Sequence, residues 1–262
     1  NNHYERASKI NNLSLDWIDS QSDNFFVWNQ YMDVHGPYEP PKEFRGIYQD
    51  DVISDRRSQI LLQKARKRPE SISKSQRQKL IDLYDEEIRY IDSKIEDFIN
   101  ELKRRDMYQN SVIIITSDHG EAFGEEGFYE HPRNLSDGLL QIPFLSKGLD
   151  INEDVTGSLV DLYPTLSGVK RDGQDLEDKE TGTTVYSQVT EKDSETNGYG
   201  AMKGKDSYYV SCKPDHKIKS NNVLSENLQE FISNKDREAK DENIESKDEE
   251  IKDRLEALGY GD

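Results

Sequence analysis

The chain has 262 residues, a formal net charge of −18 and only 32% hydrophobic residues. That acidic excess argues against nucleic acid, whose phosphates are bound by lysine and arginine stripes, and against an anionic membrane surface. The length suits one large domain or a domain with an appendage.

The single cysteine, Cys212, leaves no disulfide possible within the chain. No apolar run approaches the roughly 20 residues of a membrane span. The opening NNHYERASKINN has the pattern of neither a signal nor a transit peptide and lacks an initiator methionine. A truncated or processed product is therefore expected, with a cytoplasmic location favoured. The polar, acidic composition also fits a high-salt habitat, although the many lysines are not the usual choice there.

Residues 4–20 are predicted as a helix, with Ile10, Leu13, Trp17 and Ile18 on one face. Residues 24–31 (NFFVWNQY) are aromatic and β-branched, as a buried strand should be. They run into a loop at 32–41 whose three prolines and glycine exclude helix, and which carries His35 just past the strand end. Residues 42–72 read as a polar surface excursion with a short helix near Ile60-Leu61-Leu62. The clearest helix spans about 73–105: Leu80, Leu83, Tyr84, Ile88, Ile91, Ile95, Phe98, Ile99 and Leu102 recur at helical spacing, and Ser73 to Gln76 offers a capping box.

A short buried strand follows at 111–117 (SVIIITS), so 24–31, the long helix and 111–117 would form a right-handed crossover unit. The strand empties into Asp118-His119-Gly120-Glu121. In open α/β sheets chemistry gathers beyond the carboxyl ends of strands, which places Asp118 and His119 where a metal or an anion is handled. A loop over 120–134 carries Glu125, Glu126, Glu130 and His131, and 141–147 (QIPFLSK) reads as a second strand.

Residues 156–167 are predicted as a helix that Pro164 ends or kinks, 170–200 as polar loop, and 201–212 as a hairpin-forming stretch with a strand at 207–211. From 213 the sequence is charged: 233–250 reads as disordered or as a solvated helix, and Ile251, Leu255 and Leu258, with Gly259 as C-cap, suggest a short terminal helix.

Four stretches in order resemble the sulfatase family, within the alkaline-phosphatase-like superfamily of metallohydrolases. They are FFVWNQYMDVHGPYEPP (25–41), VIIITSDHGEAFGEEGFYEHP (112–132), LLQIPFLSKG (139–148) and SLVDLYPTLSGV (158–169). The closing RLEALGY (254–260) is similar to the family's usual ending. The resemblance implies an α/β fold with a mostly parallel sheet flanked by helices, plus a small C-terminal antiparallel and helical region. It divides the chain into 1–170, the C-terminal part of the catalytic domain; 171–232, a smaller subdomain; and 233–262, a charged tail.

Carried over position by position, it implies that Asp118 and His119 hold one Ca²⁺ or Mg²⁺ ion against a sulfate ester. His35, in the DxHxPY motif, matches a residue that contacts the ester and serves in proton transfer. His131 matches a lysine or histidine that touches a sulfate oxygen. A hard cation and imidazoles suit the charge that a sulfuryl group spreads over its oxygens in transfer.

The family's remaining parts are two further metal aspartates and a Cys or Ser, within C/S-x-P-x-R, that becomes formylglycine. Nothing before residue 25 can supply them. Cys212-Lys213-Pro214-Asp215-His216 copies the spacing but has histidine for the arginine and follows the metal strand, so it is read as a decoy.

The expectation is therefore a sulfatase-type hydrolase of small-molecule or saccharide sulfate esters, represented by its C-terminal portion and inactive alone. Formylglycine is expected only in the missing segment. The alternatives are a phosphatase or phosphodiesterase of the same superfamily, with a Thr or Ser nucleophile, and an inactive truncated fragment or binding module. Glu121, Glu125 and Glu126 read as solvated loop charges.

Overall fold

A computed structural model describes residues 4–49, 51–169, 173–190, 196–204, 206–211 and 226–233. The chain divides into two compact units, Asn1–Asp150 and Ile151–Asp262.

The first unit is built on three helices: α1 (Ala7–Asp19), α2 (Asp55–Lys67) and the 31-residue α3 (Lys74–Arg104). The capping box that opens α3 is formed: Ser73 Oγ accepts from the Gln76 amide and Gln76 Oε1 accepts from the Ser73 amide, both at 3.2 Å. This satisfies two donors that a helix start otherwise leaves unpaired. At the far end, Arg105 forks onto Asp19 of α1 at 2.7 and 2.9 Å.

The main core packs Leu80 and Leu83 of α3 against Leu61, Leu62 and Ala65 of α2, with Tyr38 and Ile53 from loops and Phe123 and Tyr129 from a short hairpin. Each such apolar side chain contributes about 1.5–3 kcal/mol on full burial. The expected stripe on α3 holds at Leu80, Leu83 and Leu102 but breaks at Ile88, which is 42% exposed. Glu86 and Glu87 are buried beside that break, because both carboxylates find donors in the loop across the helix.

After α3 come β1 (Ile113–Thr116), β2 (Ala122–Phe123), β3 (Tyr129–Glu130), α4 (Asp137–Leu140) and β4 (Phe144–Lys147). β1 pairs antiparallel with β4, Ile113 opposite Lys147 and Thr116 opposite Phe144. Lys147 Nζ donates to three carbonyls, those of Tyr108, Gln109 and Ser111. All its protons are used, so β4 is fastened to the turn that feeds β1.

Several expectations are corrected here. Residues 24–31 form no strand pairing among the described residues, and Phe26 and Trp28 are 68% and 67% exposed. An extended segment becomes a strand only when a neighbour takes its N–H and C=O groups. Residues 24–31 are held instead by side chains: Ser14 donates to Asn29 and Tyr31 to Asn11, each at 2.6 Å, and Phe25 meets Trp17 edge-on at 5.8 Å. The crossover unit is therefore not formed, and every strand pair among the described residues is antiparallel.

The excursion at 42–72 contains a full 13-residue helix, α2, and the 120–134 loop folds into the β2–β3 hairpin. β4 starts only at Phe144, after Pro143, which has no N–H to give a ladder.

In the second unit, a 3-10 turn (Leu159–Asp161) leads into α5 (Leu162–Ser167). The helix starts later than predicted because Asp161 caps the turn, accepting from the Ser158 amide at 2.7 Å. Pro164 lies in the first turn of α5, where its missing N–H costs nothing, and Gly168 at φ 66° ends the helix. Lys179 meets Asp161 at 2.6 Å with both side chains 3% exposed.

The stretch expected as loop over 170–200 contains β5 (Val185–Thr190) and the start of β6 (Thr196–Lys203), which with β7 (Asp206–Ser211) make a three-stranded antiparallel sheet. A helical stretch over 226–233 packs on it through Leu228, with Phe231 stacked on Tyr186 at 4.3 Å. Cys212 to His216 and the terminal helix around Ile251, Leu255 and Leu258 lie outside the described residues.

Leu83 is 1% exposed at the centre of the first core. Leu83→Ala is expected to lower unfolding stability by about 2–5 kcal/mol, read as a reduced urea midpoint with an unchanged slope.

Candidate active site

Three histidines on different stretches of the sequence converge in the first unit. The His131 ring is 5.1 Å from the His35 ring and 4.2 Å from the His119 ring, centroid to centroid. Each arrives on a different element. His35 follows the 24–31 segment, His119 follows β1, and His131 follows β3.

The hydrophobic core lies directly beneath. Tyr38 is fully buried, with Tyr84 and Phe123 at 5.4 and 6.0 Å, so the loop after His35 and the hairpin before His131 share one aromatic cluster. The hairpin is fixed from α2 by Arg66, whose Nε and Nη2 both donate to the Glu130 carboxylate. Gly120 allows the chain after His119 to turn in: its amide donates to Leu139 O at 2.8 Å, and a Cβ there would lie 1.9 Å from Gly138 O.

The protonation pattern follows from the partners. His35 Nδ1 is 2.7 Å from Gly36 O and His119 Nδ1 is 2.9 Å from Gly120 O. A carbonyl only accepts, so Nδ1 carries the proton in both and Nε2 is left to accept, ligate or take up a second proton. His131 differs. Its Nδ1 is 3.4 Å from Glu121 Oε1, and that carboxylate is 6% exposed. The hydrogen bond to Glu121 is the main cause that raises the His131 pKa, with burial opposing it.

Glu121 thus departs from the solvated loop charge expected of it, whereas Glu125 is 55% exposed and pairs with Arg77. Nothing in the sequence marked Glu121 beyond its place next to Asp118-His119-Gly120. Burial, with Glu121 and Glu130 close by, also drives the Tyr38 phenol far above its usual pKa.

Asp118 is 58% exposed, and its Oδ1 lies 3.8 Å from His119 Nε2 and accepts from the His119 amide at 3.1 Å. A carboxylate oxygen and a bare imidazole nitrogen at that spacing fit two neighbouring positions around one divalent ion. Two donors fall short of a full coordination shell, and no group of three or more His, Cys, Asp or Glu is arranged for a metal among the described residues.

Behind the His35 loop lies a second charged group. Arg6 Nη1 reaches Asp33 at 3.2 Å and Glu87 at 3.1 Å, and its Nη2 donates to Glu39 O. Asp33 and Glu87 are fully buried, and burial is the main cause raising both pKa values, Glu87 to about 7. The sequence held one signal for this: Glu87 falls between Leu83 and Tyr90 on the buried face of α3.

Asp118 and His119 beside the two further imidazoles make up the candidate site. The chain belongs to the sulfatase family, whose profile matches residues 5–169. It is 25% identical over 176 residues to the choline-sulfatase of Rhizobium meliloti (strain 1021), a match covering 59% of this chain and 34% of that protein. The structure resembles the putative sulfatase yidJ from Bacteroides fragilis with a TM-score of 0.62 at 20% identity, covering 87% of this chain and 56% of that one. It resembles the phosphonate monoester hydrolase of Agrobacterium radiobacter with a TM-score of 0.63 at 13% identity, covering 97% and 59%. The chain spans 15% to 34% of the length of the curated relatives it matches. No helix among the described residues is long and apolar enough to cross a membrane.

Two titrations test the electrostatics. Glu121→Gln is expected to lower the His131 pKa, followed by NMR of the ring protons, because the variant removes the carboxylate that favours the imidazolium. Glu87 titrates about 7 when folded against a reference of 4.5, so its stabilising contribution is complete below that reference and lost as the pH rises through about 7. Glu87→Gln is therefore expected to gain on the wild type between those pH values, by on the order of 3 kcal/mol in denaturant unfolding.

Proposed function

We propose that this chain is the C-terminal part of a sulfatase-type metallohydrolase acting on sulfate esters of small molecules or saccharides. The observation that carries the reading is the convergence of His35, His119 and His131 beside Asp118 in a chain whose family profile is that of the sulfatases. In this reading 1–170 is the back part of an α/β catalytic domain whose sheet is mostly parallel when whole.

Asp118 and His119 are the donors this chain gives to a Ca²⁺ or Mg²⁺ ion, through the carboxylate and Nε2. The bound ion supplies positive charge against the sulfuryl oxygens. His131, whose imidazolium form Glu121 favours, adds an N–H for a sulfate oxygen. His35 holds its Nδ1 proton on Gly36 O, which leaves Nε2 to carry a proton to the departing alcohol oxygen.

The nucleophile is not among these residues, because the sequence contains no C/S-x-P-x-R. Formylglycine and two more metal aspartates would come from outside the chain, and the chain alone is inactive. Phosphoester or phosphonate hydrolysis is the second reading, favoured by the likeness to the phosphonate monoester hydrolase.

The test is turnover of a chromogenic aryl sulfate, with aryl phosphate and aryl phosphonate beside it. It compares this chain alone with the product of the longest open reading frame that contains it. Sulfate turnover by the longer product only is expected, falling at least about 100-fold in Asp118→Ala. Turnover by the chain alone, or a preference for phosphate, overturns the reading.

A further inference from the structure

We propose that Arg6, Asp33 and Glu87 form a clamp that positions His35, by fixing both ends of the short loop that carries it. Asp33 stands two residues before His35 and Glu39 four after it. The Asp33 carboxylate accepts from Arg6 Nη1 at 3.2 Å and from the Ala7 amide, at the start of α1, at 3.1 Å. The Glu39 amide donates to Glu87 Oε1 at 2.9 Å, and its carbonyl accepts from Arg6 Nη2. One guanidinium therefore holds one end of the loop by its side chain and the other by its backbone, with Glu87 as the shared wall. The contacts of His35 within the loop are local: its amide to Met32 O at 3.0 Å and its Nδ1 to Gly36 O. They set the ring's tautomer and leave its position to the loop ends.

The clamp is a costly way to hold a loop if folding is all that matters. Two buried carboxylates share a single arginine, and burial raises the pKa of both acids. Replacing a buried ionic group of this kind with apolar residues is often neutral or stabilising. What apolar residues would not supply is a planar fork reaching Asp33, Glu87 and Glu39 O at once. Glu86, the neighbouring acid, serves another stretch: it accepts from the Gly46 and Tyr48 amides at 2.8 and 3.3 Å and from Gln49 at 2.9 Å. On the opposite side the loop rests on α2, where Ser58 Oγ donates to Tyr38 O at 2.9 Å.

The inference rests on the reading of His35 as a group of the site, and its test reads geometry, so its outcome is separate from that of any turnover assay. The measurement is the nuclear Overhauser contact between the His35 and His131 rings in the histidine-labelled full chain. Glu87→Ala is expected to lose the contact. Glu87→Gln, which keeps an oxygen for the Glu39 amide, is expected to retain it.

Arg105→Ala, which frees the far end of α3 from Asp19, is expected to lower the unfolding midpoint and leave the contact intact. If Glu87→Ala does not fold, hydrogen exchange in the wild type decides: the Glu39 amide is expected to be protected by at least about 100-fold. Survival of the contact in folded Glu87→Ala, or free exchange of the Glu39 amide, overturns the clamp.

Discussion

The first unit depends on two adjacent carboxylates, Glu86 and Glu87, with no exposed surface on α3. Successive residues of a helix point about 100° apart, so the pair takes hold of two different parts of the same long loop. Glu87 secures 33–39 together with Arg6, and Glu86 secures 46–49. A buried carboxylate must find donors or surrender its charge. Both find backbone amides, which ties an irregular, proline-rich segment to the most regular element in the chain. Glu87 still keeps a pKa near neutrality, so its grip combines hydrogen bonding with unrelieved desolvation.

That arrangement explains how the site is assembled without a wide sheet beneath it. The loop that carries His35 ends in Tyr38, and Tyr38 packs with Tyr84 and Phe123. Phe123 opens the hairpin whose far strand ends at Glu130, next to His131. The aromatic cluster therefore joins the loop of His35 to the hairpin that leads to His131, and Arg66 ties that hairpin to α2. His119 is brought in separately, by β1 and by the turn at Gly120 that leaves no room for a side chain.

The sequence predicted well what local chemistry decides. The capping box at Ser73, the long helix, and the outlet of β1 at Asp118-His119 are readable because their causes lie within a few residues. The 24–31 segment misled because β-branched and aromatic residues record a preference for pleated surroundings, while a strand also needs a partner for its backbone. The buried acids were hidden for a different reason. Glu86, Glu87 and Glu121 look like solvent-facing charge by composition, and only the folded loops reveal the donors that make burial affordable. β5 and β6 were obscured by the polar residues they carry and, in β6, by Gly198 and Gly200. The antiparallel meander there is defined by register across the strands, and that is a non-local property.

The two halves of the site chemistry are held to different degrees, and the reason is geometric. The imidazoles are fixed by contacts that all lie inside the first unit: Gly36 O, Gly120 O, Glu121 and each other's rings. The Asp118–His119 corner is not: both side chains are well exposed. Leu145 of β4 is also 58% exposed, and Phe26 and Trp28 of the 24–31 segment still more so. The three imidazoles are thus held by this chain's own packing, whereas the side chains of Asp118 and His119 stay 58% and 40% exposed beside them.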